Sequence, residues 1–314
     1  MRCLILAGGF ATRMYPITEK RPKALLPIGD KPILTHIVEK LPEDFELTVS
    51  VNAKFKRHFL KWSKYIDRKV EIFSEKTFSD DEKLGAVGGV NFFVKRKKIS
   101  EDLLLLAGDN LFDFDLRSFL KIYGRKPLVA LYELSDLSKV REYGVATLKG
   151  KRIVNFEEKP ETPKSTLIST ALYLLPENIF SNLEEFCEKR RDNLGGFLKY
   201  LVERVEVEAF IFKGRWFDVG SFETYLEAHK SIKKSFFEGT NLKNSILSGS
   251  VYLSKDCILS NSRIKDSILF EDCVIENSEL EDCIVNDGIE LRGVSLKRKL
   301  ILKDRKINLS QNPQ

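Results

Sequence analysis

The first 130 residues or so alternate between two textures. Short apolar runs, "RCLILA", "FELTVSVN", "KVEIFSE", "EDLLLLAGDN" and "KPLVALYEL", have strand length and are rich in Leu, Ile and Val. Between them apolar residues recur at helical spacing: in "KPILTHIVEKL", where Ile33, Ile37 and Leu41 share a face, then in "FKRHFLKWSKYI", "AVGGVNFFVKR" and "DLRSFLKIYG". This alternation predicts an α/β fold with a Rossmann-like, mostly parallel sheet and helices on both faces. Ligands of such sheets bind beyond the carboxyl ends of the strands, where "AGG" and "GDN" stand.

From Tyr143 the pattern changes. "YGVATLKGKRIVNFEEKP" reads as a hairpin turning at Lys149–Lys151, followed by a strand, "TLISTALYLLP". Helical stretches "NLEEFCEKRR" and "GGFLKYLVER" come next, then the strand "VEVEAFIF". In "GRWFDVGSFETYLEAHKSIKKSF", Ser221 is placed to cap a helix starting near Phe222. After Gly239 short units recur: "NSIL" at 244, "DCIL" at 256, "DSIL" at 266, "DCVI" at 272 and "DCIV" at 282, at spacings of 12, 10, 6 and 10 that cluster loosely around multiples of six. Short apolar units separated by Asp, Asn, Ser and Lys suggest stacked β-coils, each burying its apolar face against the next. Cys257, Cys273 and Cys283 are expected at one register of that repeat. The predicted organisation is an α/β domain over 1–236, a short left-handed β-helix over 237–303 and a loosely held tail over 304–314.

Composition narrows the functional classes. The chain is 43% hydrophobic and 31% charged, ordinary for a globular protein, and holds no apolar run of the roughly 18 residues that a membrane span needs. The N-terminal apolar stretch is too short for a signal peptide, so a cytoplasmic address is expected. A net charge of +6 over 314 residues, with both signs mixed, argues against nucleic acid and suits a small anionic substrate. "KRKK" at Lys95–Lys98 is taken as a solvated helix end. The five cysteines form no CxxC pair, and His36, His58 and His229 sit in helical patterns without evident partners, so neither a zinc site nor a nucleophile–histidine pair is expected.

Chemistry gathers at "LILAGGFATRMYPITEKRPKALLPIG". Gly8 and Gly9 follow the first strand directly, and glycine lets backbone N–H groups approach phosphate oxygens. There is no Walker lysine and no dinucleotide fingerprint. Arg13 and Lys23 follow on a segment stiffened by Pro16, Pro22 and Pro27. A guanidinium fork and an ammonium point charge on one constrained loop favour phosphate binding.

This segment resembles the signature of the sugar-1-phosphate nucleotidyltransferases, L-A-G-G-x-G-T-R-L-x-P-L-T followed by P-K-x-L-x-P and K-P-(M/I)-I, with Ala11 replacing the third loop glycine. Further segments are similar to that family's patterns: "LGAVGGV" to L-G-T-A-G-A beside the nucleotide base, "AGDN" to its G-D-N, "EYGVATL" and "NFEEKP" to its sugar-phosphate stretches, "STALYLLP" to T-G-(I/L)-Y with Ala171 for glycine, and "GRWFDVGS" to W-x-D-x-G-(S/T). The resemblance covers about residues 1–230 and implies transfer of a nucleotidyl group from an NTP to a hexose 1-phosphate with release of pyrophosphate. It implies that Leu6, Ala7, Gly8, Gly9, Gly85 and Asp109 hold the nucleotide. Arg13 and Lys23 would be catalytic, and Gly144, Glu158, Lys159 and Thr170 would hold the sugar phosphate. Asp109 and Asp218 would bind Mg2+.

The expected partners are an NTP and a sugar 1-phosphate, with neither nucleic acid nor membrane; self-association through the β-helix is left open. "GDN" with "FEEKP" leans towards glucose 1-phosphate with dTTP or UTP, and mannose-1-phosphate guanylyl transfer is the alternative. An additional acetyltransferase activity is disfavoured because the repeats hold no histidine. A catalytically silent nucleotide-sugar-binding subunit is the reading from another class.

Overall fold

The computed structural model describes residues 1–189, 193–237 and 239–309. In chain order the first elements are β1 (Arg2–Leu6), β2 (Pro27–Ile28), β3 (Lys31–Pro32), α1 (Ile33–Val38), β4 (Glu46–Asn52), α2 (Lys56–Trp62), β5 (Val70–Glu75) and α3 (Ala86–Lys97). Then come β6 (Leu103–Ala107), β7 (Asn110–Phe112), α4 (Leu116–Lys121), β8 (Leu128–Glu133), α5 (Leu137–Val140), β9 (Gly144–Lys149) and β10 (Arg152–Glu158). β11 (Leu167–Leu175), α6 (Phe180–Lys189), α7 (Leu194–Val202), β12 (Glu208–Phe212), β13 (Trp216–Asp218) and α8 (Phe222–Ile232) follow, and short strands fill the rest.

Two compact units form. One comprises Met1–Phe10 and Ile37–Trp216, the other Ala11–His36 and Phe217–Gln314. The expected catalytic span 1–236 therefore contributes to both. The signature segment that follows Phe10 belongs with the C-terminal coils.

The first unit is built on a nine-stranded sheet ordered β5-β4-β1-β6-β11-β8-β12-β10-β9. β5, β4, β1 and β6 pair in parallel, as do β8 and β12, whereas β11 is antiparallel to β6 and β8, and β10 to β12 and β9. Only β11 and β10 run against the other strands, so the expectation of a mostly parallel sheet holds. Cys3, Leu4 and Ile5 of β1 and Leu103 to Leu106 of β6 are all buried. A strand without an exposed face has layers above and below it, which is why these runs are continuously apolar rather than alternating. Leu4, Leu103, Leu105 and Tyr173 pack with Val87, Val90 and Phe93 of α3, Leu183 of α6 and Phe197 of α7 in one cluster.

β11 is interrupted. Its register against β8 shifts between Ser169, opposite Leu131, and Tyr173, opposite Val129. Inside this bulge Ala171 takes φ +53°, the left-handed conformation in which a bulge normally uses glycine.

In the second unit the repeats wind into coils. Their strands align in parallel: Asn241 beside Ile258, Val274 and Glu290; Ile246 beside Arg263, Glu279 and Ser295; Phe236 beside Tyr252, Ile268, Ile284 and Leu300. The strand-to-strand spacing is 16 residues, 17 in two steps of the first coil, so the multiples of six expected from the tetrapeptides are a by-product. Each coil has three strands, and its corners take positive φ: Asn244, Asn261 and Asn277 in one column, Asp256, Asp272 and Gly288 in a second, Asp266, Asp282 and Arg298 in a third.

The residue after the corner points inward in every coil but the last of the third column, where Lys299 follows Arg298. Cys257 and Cys273 occupy that place in the second column, but Cys283 follows Asp282 in the third, which corrects the single register expected for the three thiols. Ser245, Ser262 and Ser278 fill it in the first, and the hydroxyl of each accepts a backbone N–H from the next coil at 3.1–3.2 Å. The expected loose tail is also corrected. Residues 306–308 return as a strand antiparallel to Lys299–Ile301, and Leu309 N–H donates to the Arg298 carbonyl at 3.0 Å. Residues 310–314 lie outside the described residues.

Candidate functional site

In the first unit the end of β1 is pinned on both sides. Ala7 N–H donates to the Ser50 carbonyl, and Gly108 N–H to the Leu6 carbonyl, each at 2.8 Å. The Asn52 amide donates to the Gly8 carbonyl at 3.0 Å, while its oxygen accepts from Phe55 N–H. The backbone after the strand thus has a defined path without side chains at Gly8 and Gly9.

Beneath that path lies Glu75, the last residue of β5. Its side chain is buried, its Oε1 accepts from the Ser50 hydroxyl at 2.8 Å, and burial raises its pKa against that hydrogen bond. A Cβ at Gly8 would lie 3.3 Å from Oε1, and one at Gly89, in α3, only 2.7 Å from it. The carboxyl therefore joins the β1 loop to α3, which begins after Gly85, and brings Leu6, Ala7, Gly8 and Gly9 to the "LGAVGG" segment. The signal was available as a glycine at each end of the contact, but its meaning needed the fold.

Asp109 follows β6. The Asn110 amide donates to Asp109 Oδ1, and Trp216 Nε1 donates to Asn110 Oδ1, both at 2.9 Å. This chain of bonds orients one carboxylate oxygen and ties "GDN" to the tryptophan of "GRWFDVGS". Asn110, Thr170, Ala171 and Trp216 also line a small cavity of about 10 Å³, room for one water.

A second carboxylate sits in a glycine cradle. Glu158 pairs with Gly144 across the β9–β10 hairpin, where a Gly144 Cβ would lie 2.8 Å from Glu158 Oε2. At Gly195, in the first turn of α7, the distance would be 1.7 Å. Both positions exclude any side chain while Glu158 keeps this rotamer. Burial raises the Glu158 pKa, opposed by the adjacent Lys159 charge. Gly144, Glu158 and Lys159 are thus together. Gly195 joins them without having been singled out in the sequence. Thr170 is buried, with its hydroxyl donating to the Ala130 carbonyl at 2.9 Å.

The second unit gathers the other motif residues. Ala11 takes φ +51°, the conformation that suits glycine, and its carbonyl accepts from Met14 N–H at 2.9 Å and the Thr18 hydroxyl at 2.8 Å. Arg13 lies on the resulting turn, exposed; Lys23 opens another turn after Pro22 and is half-buried. Arg13 Nη2 and both Asp218 carboxylate oxygens lie within 4 Å of the point where Gly220 would carry a Cβ, so the signature arginine and the "WFDVG" aspartate are neighbours. Asp109 belongs to the first unit and Asp218 to the second. α8 starts as expected at Phe222, with Ser221 and Thr224 forming a reciprocal capping box.

His229, expected to be partnerless, is not. Its Nδ1 accepts Gly29 N–H at 3.0 Å and its Nε2 lies 3.1 Å from the Ser250 carbonyl. Nδ1 must be bare to accept, so the imidazole is neutral with Nε2–H donating, and burial moves its pKa down to about 4. No group of three or more His, Cys, Asp or Glu side chains with metal-ligand geometry occurs among the described residues. No helix among them is long and apolar enough to cross a membrane.

A model of the nucleotidyl transferase family matches residues 2–235. The bifunctional protein GlmU of Methanocaldococcus jannaschii is 30% identical over 266 residues, covering 82% of this chain and 61% of that relative. A Sulfolobus acidocaldarius protein provisionally named mannose-1-phosphate guanyltransferase is 26% identical over 227 residues, covering 71% of this chain and 60% of the relative. This chain thus spans about 60% of the length of these curated relatives. Among solved structures, a UDP-glucose pyrophosphorylase complexed with UDP-glucose superposes with TM-score 0.63 at 26% identity, over 74% of this chain and 97% of that one. The chain belongs to the nucleotidyl transferase family.

Proposed function

From membership of the nucleotidyl transferase family, we propose that the chain transfers a nucleotidyl group from an NTP to a hexose 1-phosphate, releasing pyrophosphate and forming an NDP-sugar. A phosphate oxygen of the sugar phosphate attacks the α-phosphorus, the bond to the β-phosphate bridge breaks, and pyrophosphate leaves with the electron pair. The nucleophile is already an anion, so the protein's task is positioning and charge neutralisation. The observation that carries this reading is a family match that spans a loop bare of side chains at Gly8 and Gly9 and includes Arg13 beside Asp218.

Backbone N–H groups of Leu6 to Gly9 and of Gly85, with Asp109, are proposed to hold the nucleotide. Arg13 would neutralise the departing pyrophosphate and Lys23 the α-phosphate. Lys159 would hold the sugar phosphate, with Glu158, Gly144 and Thr170 around the sugar. Magnesium takes one or two carboxylates and completes its shell with phosphate oxygens and water, which fits a chain without a larger acidic cluster among its described residues. Asp109 and Asp218 are the residues proposed to hold it. When bound, it supplies charge neutralisation and alignment at the phosphates.

Glucose 1-phosphate with dTTP or UTP is the preferred pair, supported by the fold shared with a UDP-glucose pyrophosphorylase. Guanylyl transfer to mannose 1-phosphate is the second reading, supported by the S. acidocaldarius relative. A matrix of NTPs against sugar 1-phosphates, read by pyrophosphate release, tests both. At least one pair is expected to turn over, and Asp109→Asn or Arg13→Ala is expected to lower turnover at least about a hundredfold. Absence of release with every pair would instead favour a silent nucleotide-sugar-binding subunit.

A further inference from the structure

The signature segment that bears Arg13 and Lys23 is held by the C-terminal coils. Arg21, two residues before Lys23, donates through Nη2 to both Asp287 oxygens at 2.8 Å, and its guanidinium lies 4.4 Å from the centre of the Phe270 ring. Asp287 is itself fixed to the preceding coil, since its Oδ1 accepts Glu271 N–H at 3.2 Å. On the far side of Lys23, Tyr225 of α8 donates its hydroxyl to the Pro27 carbonyl at 2.8 Å, and His229 links Gly29 N–H to the Ser250 carbonyl of the coils. Gly29 can sit there only without a side chain, because at φ +62° its Cβ would lie 2.6 Å from Ile232.

We infer that the β-helix is a positioning device for the phosphate-binding loop, with Arg21, Asp287 and His229 as positioning residues that fix Lys23 from both sides without touching substrate. The inference rests on the proposed transfer reaction for its kinetic consequence. A long, flexible lysine delivers a point charge whose value depends on where its backbone is held. Displacements of about 1 Å at positioning elements cost up to about a hundredfold in rate. In the Arg21–Asp287 contact one guanidinium nitrogen is shared between both carboxylate oxygens while the guanidinium plane lies over the Phe270 ring, so the partly shielded pair is held from two directions. Arg21 thus directs its charge to the coils, although it lies in the same segment as Arg13 and Lys23, which are assigned to phosphate.

The test uses the full chain with Arg21→Met, Asp287→Asn, the double variant, and Asp287→Glu as the conservative control. Each single variant is expected to lower kcat about tenfold while the KM for sugar 1-phosphate changes less than twofold. The double variant should be no worse than either single, and Asp287→Glu should recover most of the rate. Hydrogen exchange supplies an activity-independent reading: residues 17–29 should exchange faster in Arg21→Met and Asp287→Asn, with the nine-stranded sheet unchanged. Variants that exchange like the wild type overturn the inference whether or not the wild type is active. Lowered melting with normal kcat reduces the contacts to a structural role and overturns it as well. A wild type inactive with every substrate pair refutes the proposed reaction, whereas the exchange result still decides the brace.

Discussion

The nine-stranded sheet and the coil stack both depend on positions that reject an ordinary side chain, but for opposite reasons. In the sheet unit, Gly195 must be bare because a carboxylate occupies the space: a Cβ would come within 1.7 Å of Glu158. In the coil stack, Gly288 has nothing within 4 Å of its would-be Cβ, and what matters there is φ +65°. One glycine answers to a distant residue and the other to its own backbone. At these two positions, then, the sheet unit is sensitive to volume and the coil corner to conformation.

Four substitutions would break or sharpen that contrast, the first having the largest effect. Gly195→Ala forces Glu158 from its cradle, and kcat/KM for the sugar 1-phosphate should fall at least about tenfold, as expected when a polar contact to a bound substrate is lost. Steady-state kinetics with NTP saturating check it. Asn261→Val places a β-branched residue at φ +47° in a coil corner and should cost roughly 1–2 kcal/mol of stability with activity per folded molecule retained. Chemical denaturation measures it.

Glu75→Gln addresses the buried carboxyl of the sheet unit. Burial makes the folded state hold this proton more tightly than the unfolded chain does, so Glu75 stabilises below its ordinary value near 4.5 and that contribution is lost as pH rises through the raised folded value. The variant should melt higher than the wild type at pH 7, and the gain should vanish towards pH 4. Ala11→Gly should change least. It relieves a left-handed alanine but adds freedom to the unfolded chain, and the two effects oppose each other within about 1 kcal/mol. Matched thermal melts of Ala11→Gly and the wild type would show it.

Much of the sheet was legible because its strands are buried on both faces and must be continuously apolar, as in "LLLLA" and "RCLIL". The cap at Ser221 was legible because capping is a contract between residues three apart. The 16-residue period was not. The apolar tetrapeptides occur on more than one side of a coil, so their spacings mix columns, and the true repeat is carried by the corner Asn, Asp and Gly residues. Cys283 was misassigned for the same reason.

By itself the sequence determined the α/β alternation, the coil-forming repeats and the family's signature segment, since these follow from local periodicity and from residues close together in the chain. Only the tertiary structure decided that Glu75 underlies the Gly8 loop, that Gly195 makes room for Glu158, and that Arg21 and His229 tie the signature segment to the coils. Those contacts join residues remote from one another in the chain, Gly29 with His229 at a separation of 200 and Arg21 with Asp287 at 266. Periodicity carries no information over such distances; close packing alone selects which buried polar groups meet.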